Sequence, residues 1–139
     1  MAHSTIGWRL NMGIRLLLVD DDVQFRNTLR HLLSQRTEAV ILGEAQDGEE
    51  AIHLARALRP EVVLMDLAMP RMNGVEATRH LKASWPDLAV IILTVHDDAV
   101  YRRTALAAGA EAFLVKKTLG ADLWPTLLRI AGRGQGQPT

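Results

Sequence analysis

The sequence predicts an α/β domain: five parallel strands and five helices in strict alternation, a doubly wound (βα)5 order. Two observations carry this. First, five short apolar runs recur along the chain, "IRLLLV" (14–19), "AVILGEA" (39–45), "EVVLMD" (61–66), "LAVIILT" (88–94) and "EAFLVK" (111–116). Nearly continuous, β-branched runs of this length suit strands covered on both faces. Second, each run is followed by a segment with helical spacing of apolar residues. Such alternation implies right-handed crossovers and one open sheet.

The helices are justified in turn. Phe25, Leu29, Leu32 and Leu33 make the apolar stripe of the first, and Ala51, Ile52, Ala55 and Leu58 that of the second. The third is expected over 74–83 and the fourth over 97–108, where an alanine-rich stretch ends at Gly109. The last is expected over 122–131, with Pro125 in its first turn, where a missing N–H costs nothing. Pro60 and Pro86 punctuate two helix-to-strand connections, and no internal repeat is present beyond the alternation itself.

The bulk properties set limits. A chain of 139 residues has the length of one domain with one core. Sixteen basic and sixteen acidic residues balance, so no global field draws the protein to nucleic acid or anionic lipid. Cysteine is absent, which excludes disulfides, thiolate metal sites and thiol catalysis, and fits a cytoplasmic location. No run approaches a membrane span, and "MAHSTIGWRLN" lacks the apolar core of an export signal. Residues 1–12 read as an N-terminal extension, 13–131 as the domain, and 132–139, "GRGQGQPT", as a flexible tail or the start of a linker.

Ligands of open α/β sheets bind beyond the carboxyl ends of the strands, where the winding reverses. At that edge strand one delivers Asp20 and Asp21, strand three Asp66, strand four Thr94 and strand five Lys116. Adjacent carboxylates repel one another, and a hard divalent cation such as Mg²⁺ is what rewards their clustering. A cation there would also neutralise a phosphoryl group arriving at a neighbouring carboxylate. Asp66, before the turn "LAMPRMNG", is the candidate nucleophile; Lys116 supplies a point charge and Thr94 a hydroxyl donor. Asp22 reads as the N-cap of the first helix.

The motifs "LLLVDDD", "GEAQDGEEA", "PEVVLMDLAMPRMNGVEATR", "VIILTVHD" and "AGAEAFLVK" together are specific. Over roughly Gly13 to Ala131 the chain resembles a response regulator receiver domain, the phospho-accepting half of two-component signalling, and its wording is most similar to the NarL-like branch. The resemblance implies a flavodoxin-like sheet of order 2-1-3-4-5. It implies phosphorylation of Asp66 by a sensor histidine kinase, with Mg²⁺ held by Asp21, Asp66 and the backbone carbonyl of Ala68, and by Asp20 directly or through water. Lys116 and Thr94 would contact the phosphoryl group. Thr94 and Phe113 would form a switch pair that remodels the face around helix four, strand five and helix five. The resemblance implies a phosphoacceptor that catalyses its own phosphorylation and dephosphorylation and does not turn over an external metabolite. Many NarL-like members continue into a DNA-binding helix-turn-helix, so transcription regulation through a following domain and a stand-alone role through protein partners both stay open, with no nucleic-acid contact through this chain itself. No membrane contact is implied, and homodimerisation stays open.

Three positions depart from the family's habit. Val95 stands where a small residue is usual, Phe113 where tyrosine is commoner, and Lys117 where many members have proline. Three rivals stay open. One is a degenerate receiver acting only as a protein-interaction module. Another is a haloacid-dehalogenase-like aspartate phosphatase using Asp20 and Asp22 as D-x-D, although Gln24 stands where that family has threonine or valine. The third is a nucleotide-binding unit, which lacks its G-x-G-x-x-G after strand one. His31, His53, His80 and His96 lack metal spacing and read as surface residues, with His96 nearest the proposed site. Arg102 and Arg103 read as part of a solvated helix face or a partner contact, and Trp124 as core-facing or part of a dimer face.

Overall fold

The computed structural model of the protein describes residues 13–135 and contains all five strands and all five helices. In order they are β1 (Ile14–Val19), α1 (Val23–Ser34), β2 (Ala39–Ala45), α2 (Gly48–Leu58), β3 (Val62–Asp66), α3 (Gly74–Ser84), β4 (Ala89–Thr94), α4 (Ala99–Ala107), β5 (Ala112–Val115), a 3-10 turn (Lys116–Thr118) and α5 (Leu119–Gln135). The sheet is parallel with order β2-β1-β3-β4-β5. The sequence readings of residues 1–12 and 136–139 lie outside the described residues.

Side chains alternate across a strand, so one apolar run feeds two cores. Leu17, Val19, Val63, Met65, Val90 and Ile92 face one layer with Ala51 and Ala55 of α2, Ala77 and Leu81 of α3, and Ala105 of α4. Leu16, Leu18, Leu64, Ile91 and Leu93 face the other, with Leu29 and Leu33 of α1 and Leu119, Leu123 and Leu127 of α5. Helices α1 and α5 therefore cover one face, and α2, α3 and α4 the other. The winding reverses between β1 and β3, because the chain leaves β1 for β2 on one side and returns to β3 on the other. Between β1 and β2 the register shifts, Leu16 pairing Ile41 and Leu17 pairing Gly43, which leaves Leu42 as a bulge.

Polar side chains start each of the first four helices. Asp22, Asp47, Asn73 and Asp98 are the N-caps, and Asn73 with Glu76 completes a capping box. The cap at Asp98 explains why α4 begins at Ala99, two residues later than its apolar pattern suggested. Gly109, at φ 109°, follows the end of α4 as expected.

The last helix departs from the sequence reading. It starts at Leu119 and runs to Gln135, so Pro125 lies inside it, beyond the first turn, and 132–135 continue the helix. Leu119, Leu123 and Leu127 are each no more than 2% exposed. At roughly 2 kcal/mol apiece they outweigh the roughly 3 kcal/mol of an interior proline. Pro125 and Ala121 both face solvent, so water can take the carbonyl that proline leaves unbonded. Lys116 likewise falls just past β5, in the 3-10 turn rather than in the strand.

One glycine is fixed by contact. A Cβ on Gly74 would stand 2.3 Å from the carbonyl oxygen of Asp66, while one on Gly120 would meet nothing within 4 Å. The Gly74 N–H also donates to the Leu67 carbonyl at 2.8 Å, closing the turn after β3. Gly74→Ala should therefore lose roughly 1–3 kcal/mol of stability, whereas Gly120→Ala should gain up to about 1 kcal/mol. Urea unfolding of the two variants beside the parent protein measures both signs.

Candidate functional site

Parallel pairing sets β1 against β3 with Val19 opposite Met65, so the next residues, Asp20 and Asp66, emerge side by side at the point of reversal. Asp20 is 1% exposed and Asp66 6%, while Asp21 is exposed. One carboxylate oxygen from each of Asp20, Asp21 and Asp66 lies within 4.8 Å of the others.

Asp20 is held on every side. Its Oδ1 accepts from the Asp22 N–H at 2.8 Å, and its Oδ2 from Lys116 Nζ at 2.8 Å. Its backbone carbonyl accepts from the Arg26 guanidinium, whose Nε donates to Glu44 of β2 at 2.9 Å. Asp22 caps α1 as its position suggested, accepting from the N–H groups of Gln24 and Phe25. Lys116 Nζ also lies 3.1 Å from Asp66 Oδ1, and it sits 3.9 Å from the centre of the Phe25 ring.

Burial, reinforced by the Asp20 charge and opposed by Lys116, pushes the Asp66 carboxyl from 3.8 up to about 6. For Lys116 burial acts to lower the pKa, but the hydrogen bond to Asp20 and the charge of Asp66 outweigh it and hold the ammonium above its usual value. Among the described residues Lys116 pairs with two of the three clustered acids, and the residual repulsion falls on Asp66. A set of hard oxygen donors without nitrogen or sulfur fits Mg²⁺. Ala68 is exposed in the adjoining loop and, with Asp66 and Thr94, lines an open groove of about 610 Å³ between α3 and α4.

Thr94 ends β4 beside this groove, 3% exposed, and its Oγ1 accepts from the His96 N–H at 3.1 Å. Phe113 on β5 is 4% exposed, turned into the core. Arg102 of α4 covers it: the guanidinium lies 4.9 Å from the ring centre, donates to the Phe113 carbonyl at 3.4 Å and pairs with Asp97 at 3.1 Å. Arg102 is therefore half-buried against β5, unlike the exposed Arg103. Val95 is largely in solvent. His31, His53, His80 and His96 are all exposed, as expected of surface histidines. Trp124 is half-buried and donates to the Leu32 carbonyl at 3.2 Å.

The sequence reading brought together the residues that meet here, but it missed their supports. The apolar spacing places Phe25 only in the core stripe of α1 and gives Arg26 no distinct role. A helical offset from the acids puts both over the end of β1, a signal hidden by the stronger apolar stripe. Arg71, at φ 67° in the turn after Asp66, was also passed over; it pairs with Asp47 at 2.8 Å and ties the β2–α2 and β3–α3 loops together.

Comparison with known proteins agrees with this geometry. Residues 16–127 match the family model of the response regulator receiver domain. The transcriptional regulatory protein DegU of Brevibacillus brevis is 36% identical over 121 residues, which cover 87% of this chain and 51% of that protein. The response regulator protein VraR of Staphylococcus aureus is 38% identical over 126 residues, covering 89% and 59% respectively. The chain thus spans little more than half the length of these relatives. Among solved structures, a two-component response regulator of the LuxR family from Aurantimonas sp. SI85-9A1 superposes with a TM-score of 0.82 at 33% identity, covering 86% of each chain. The signal receiver domain of NarL from Mycobacterium tuberculosis gives 0.81 at 29% identity, covering 86% of this chain and 96% of that one. A family match over most of the chain, with a sheet order and strand-end acids that fit it, makes this protein a member of the response regulator receiver domain family of two-component signalling.

Proposed function

We propose that the protein accepts a phosphoryl group on Asp66 from a sensor histidine kinase, with Mg²⁺ held by Asp20, Asp21, Asp66 and the Ala68 carbonyl. The observation that carries this reading is the convergence of three carboxylates and Lys116 at the reversal between β1 and β3. When bound, Mg²⁺ supplies positive charge to the carboxylates and to the incoming phosphoryl oxygens. Asp66 contributes the nucleophile. One carboxylate oxygen forms a bond to phosphorus as the P–N bond to the donor histidine breaks, and the electron pair of that bond stays on the imidazole nitrogen. Lys116 stays hydrogen-bonded to Asp20 and turns from the Asp66 carboxylate to a phosphoryl oxygen. Thr94, whose Oγ1 accepts from the His96 N–H, donates its hydroxyl proton to an oxygen of the same group, and Phe113 with α4 responds.

The phosphatase rival is less well supported. It needs Asp22 as an acid facing the site, but Asp22 is engaged in capping α1 through its side chain. The degenerate reading would expect a missing acid or lysine, and none is missing. The name of one relative as a transcriptional regulatory protein, and relatives of which this chain spans little more than half, favour a receiver that controls a DNA-binding portion, acting in the cytoplasm. None of the helices among the described residues is long and apolar enough to cross a membrane.

With acetyl phosphate and Mg²⁺ the protein should gain one phosphoryl mass, lost on mild base treatment. The adduct should be absent from Asp66→Asn and from protein in EDTA. Intact-mass and peptide-mapping spectrometry reads it, and a parent protein that takes no label under these conditions leaves only the degenerate receiver.

The pH dependence follows from the raised Asp66 pKa. The carboxyl binds its proton more tightly folded (about 6) than unfolded (3.8), so ionised Asp66 weighs against the fold. That penalty is absent below about pH 4 and complete above about pH 6. In EDTA, Asp66→Asn should therefore be more stable than the parent protein by roughly 1–3 kcal/mol at neutral pH, and the difference should vanish as the pH falls through this window. Urea unfolding across pH measures it; a variant less stable at neutral pH contradicts the assignment of Asp66 as the unfavourably charged group.

A further inference from the structure

The Lys116 ammonium carries three N–H donors. Among the described residues two find oxygen, Asp20 at 2.8 Å and Asp66 at 3.1 Å, and the remaining side is closed by the Phe25 ring, whose centre is 3.9 Å from Nζ. This contact adds to core packing. Leu29 and Leu33, further along α1, are buried in the apolar layer, whereas Phe25 packs at the margin of that layer, half-buried, and presents its ring to a charge. Its place is fixed by the acid segment itself, since the Phe25 N–H donates to the Asp22 cap.

The geometry points to Phe25 as a positioning residue for phosphoryl acceptance: its ring face seats the Lys116 ammonium between Asp20 and Asp66 without offering it a competing oxygen. The inference rests on the proposed acceptor role of Asp66. An aromatic face attracts a cation through its quadrupole and does so without a fixed direction. Lys116 must exchange one oxygen partner when Asp66 becomes phosphorylated. An oxygen where the ring face now lies would hold the ammonium back, and an aliphatic residue would leave its third side to water; a para hydroxyl lies at the ring's rim, away from Nζ over the ring centre. A ring lets it turn while keeping it desolvated, and its side chain is only 15% exposed. The electrostatic gain of the phosphoryl contact depends on that exclusion of water.

Phe25→Leu keeps an apolar side chain and removes the ring, while Phe25→Tyr keeps the ring. With acetyl phosphate and Mg²⁺, Phe25→Leu should be phosphorylated about threefold to tenfold more slowly, and Phe25→Tyr at about the parent rate. Thermal melts confirm that both are folded. A second readout is independent of phosphate: the Lys116 Hε protons should show an upfield ring-current shift in the parent protein and in Phe25→Tyr, and lose it in Phe25→Leu. Equal labelling rates in Phe25→Leu and the parent protein, Phe25→Tyr as slow as Phe25→Leu, or no ring-current shift in the parent protein would each overturn the inference while leaving the Asp66 reading intact. A parent protein that takes no label sinks the Asp66 reading and this inference with it.

Discussion

Three carboxylates gather where β1 and β3 part, and among the described residues Lys116 is the cation bonded to two of them. Two unit charges about 4 Å apart near a protein surface interact by roughly 4 kcal/mol, so a single ammonium cannot offset every repulsion in such a group. The surrounding structure is arranged to hold the acids together regardless. The pairing of β1 with β3 fixes the spacing, and Arg26 grips the Asp20 backbone from α1. The Asp22 cap fixes the first turn of that helix, and Gly74 lets the chain fold back against the Asp66 carbonyl. Stability given up to this repulsion is what makes the edge receptive to added positive charge.

The topology makes that concentration of charge affordable. Because the winding reverses between β1 and β3, no crossover helix runs over their carboxyl ends, and the acids meet at the sheet edge instead of under a packed layer. The exposed Asp21 and the open groove beside Asp66 follow from the same reversal. Asp66 itself is nearly covered, so desolvation is the largest influence on its pKa and the adjacent Asp20 charge comes second. The position that a carboxylate occupies in the sheet decides whether it is solvated, as Asp21 is, or desolvated, as Asp66 is.

Much of this was legible in the sequence because the relevant physics is local or periodic. A strand buried on both faces must read as a continuous apolar run, and β1 and β2 match their runs residue for residue. Polar residues at strand ends and the Asp22 cap follow from the same patterns. What was not legible depends on tertiary partners. The apolar stripe of α1 shows which way Phe25 faces but not that a lysine 91 positions later arrives over its ring. Arg102 reads as solvated because its long side chain reaches β5 from a helix with little apolar periodicity. Pro125 misplaced the start of α5, since the local cost of proline was weighed without the leucine stripe that overrides it.

That weak periodicity of α4 bears on switching. Ala105 is the only residue of this helix in the buried core, and Val100, Tyr101 and Leu106 are exposed. A helix with so little buried apolar surface is held to the sheet by few interactions, and the Arg102 bridge from Asp97 to Phe113 is prominent among them. Phe113 is already turned inward and capped by that guanidinium, while Thr94 is engaged with the loop that leads into α4. On the proposed mechanism, moving Thr94 towards a phosphoryl group would pull on the His96 N–H that it accepts from, and through that loop on the start of α4 and the Asp97 end of the bridge. The low local stability of α4 would allow one hydroxyl's movement, as proposed, to reach a whole helix. In a helix anchored like α5, by a stripe of buried leucines, the same change would be absorbed within the first turn.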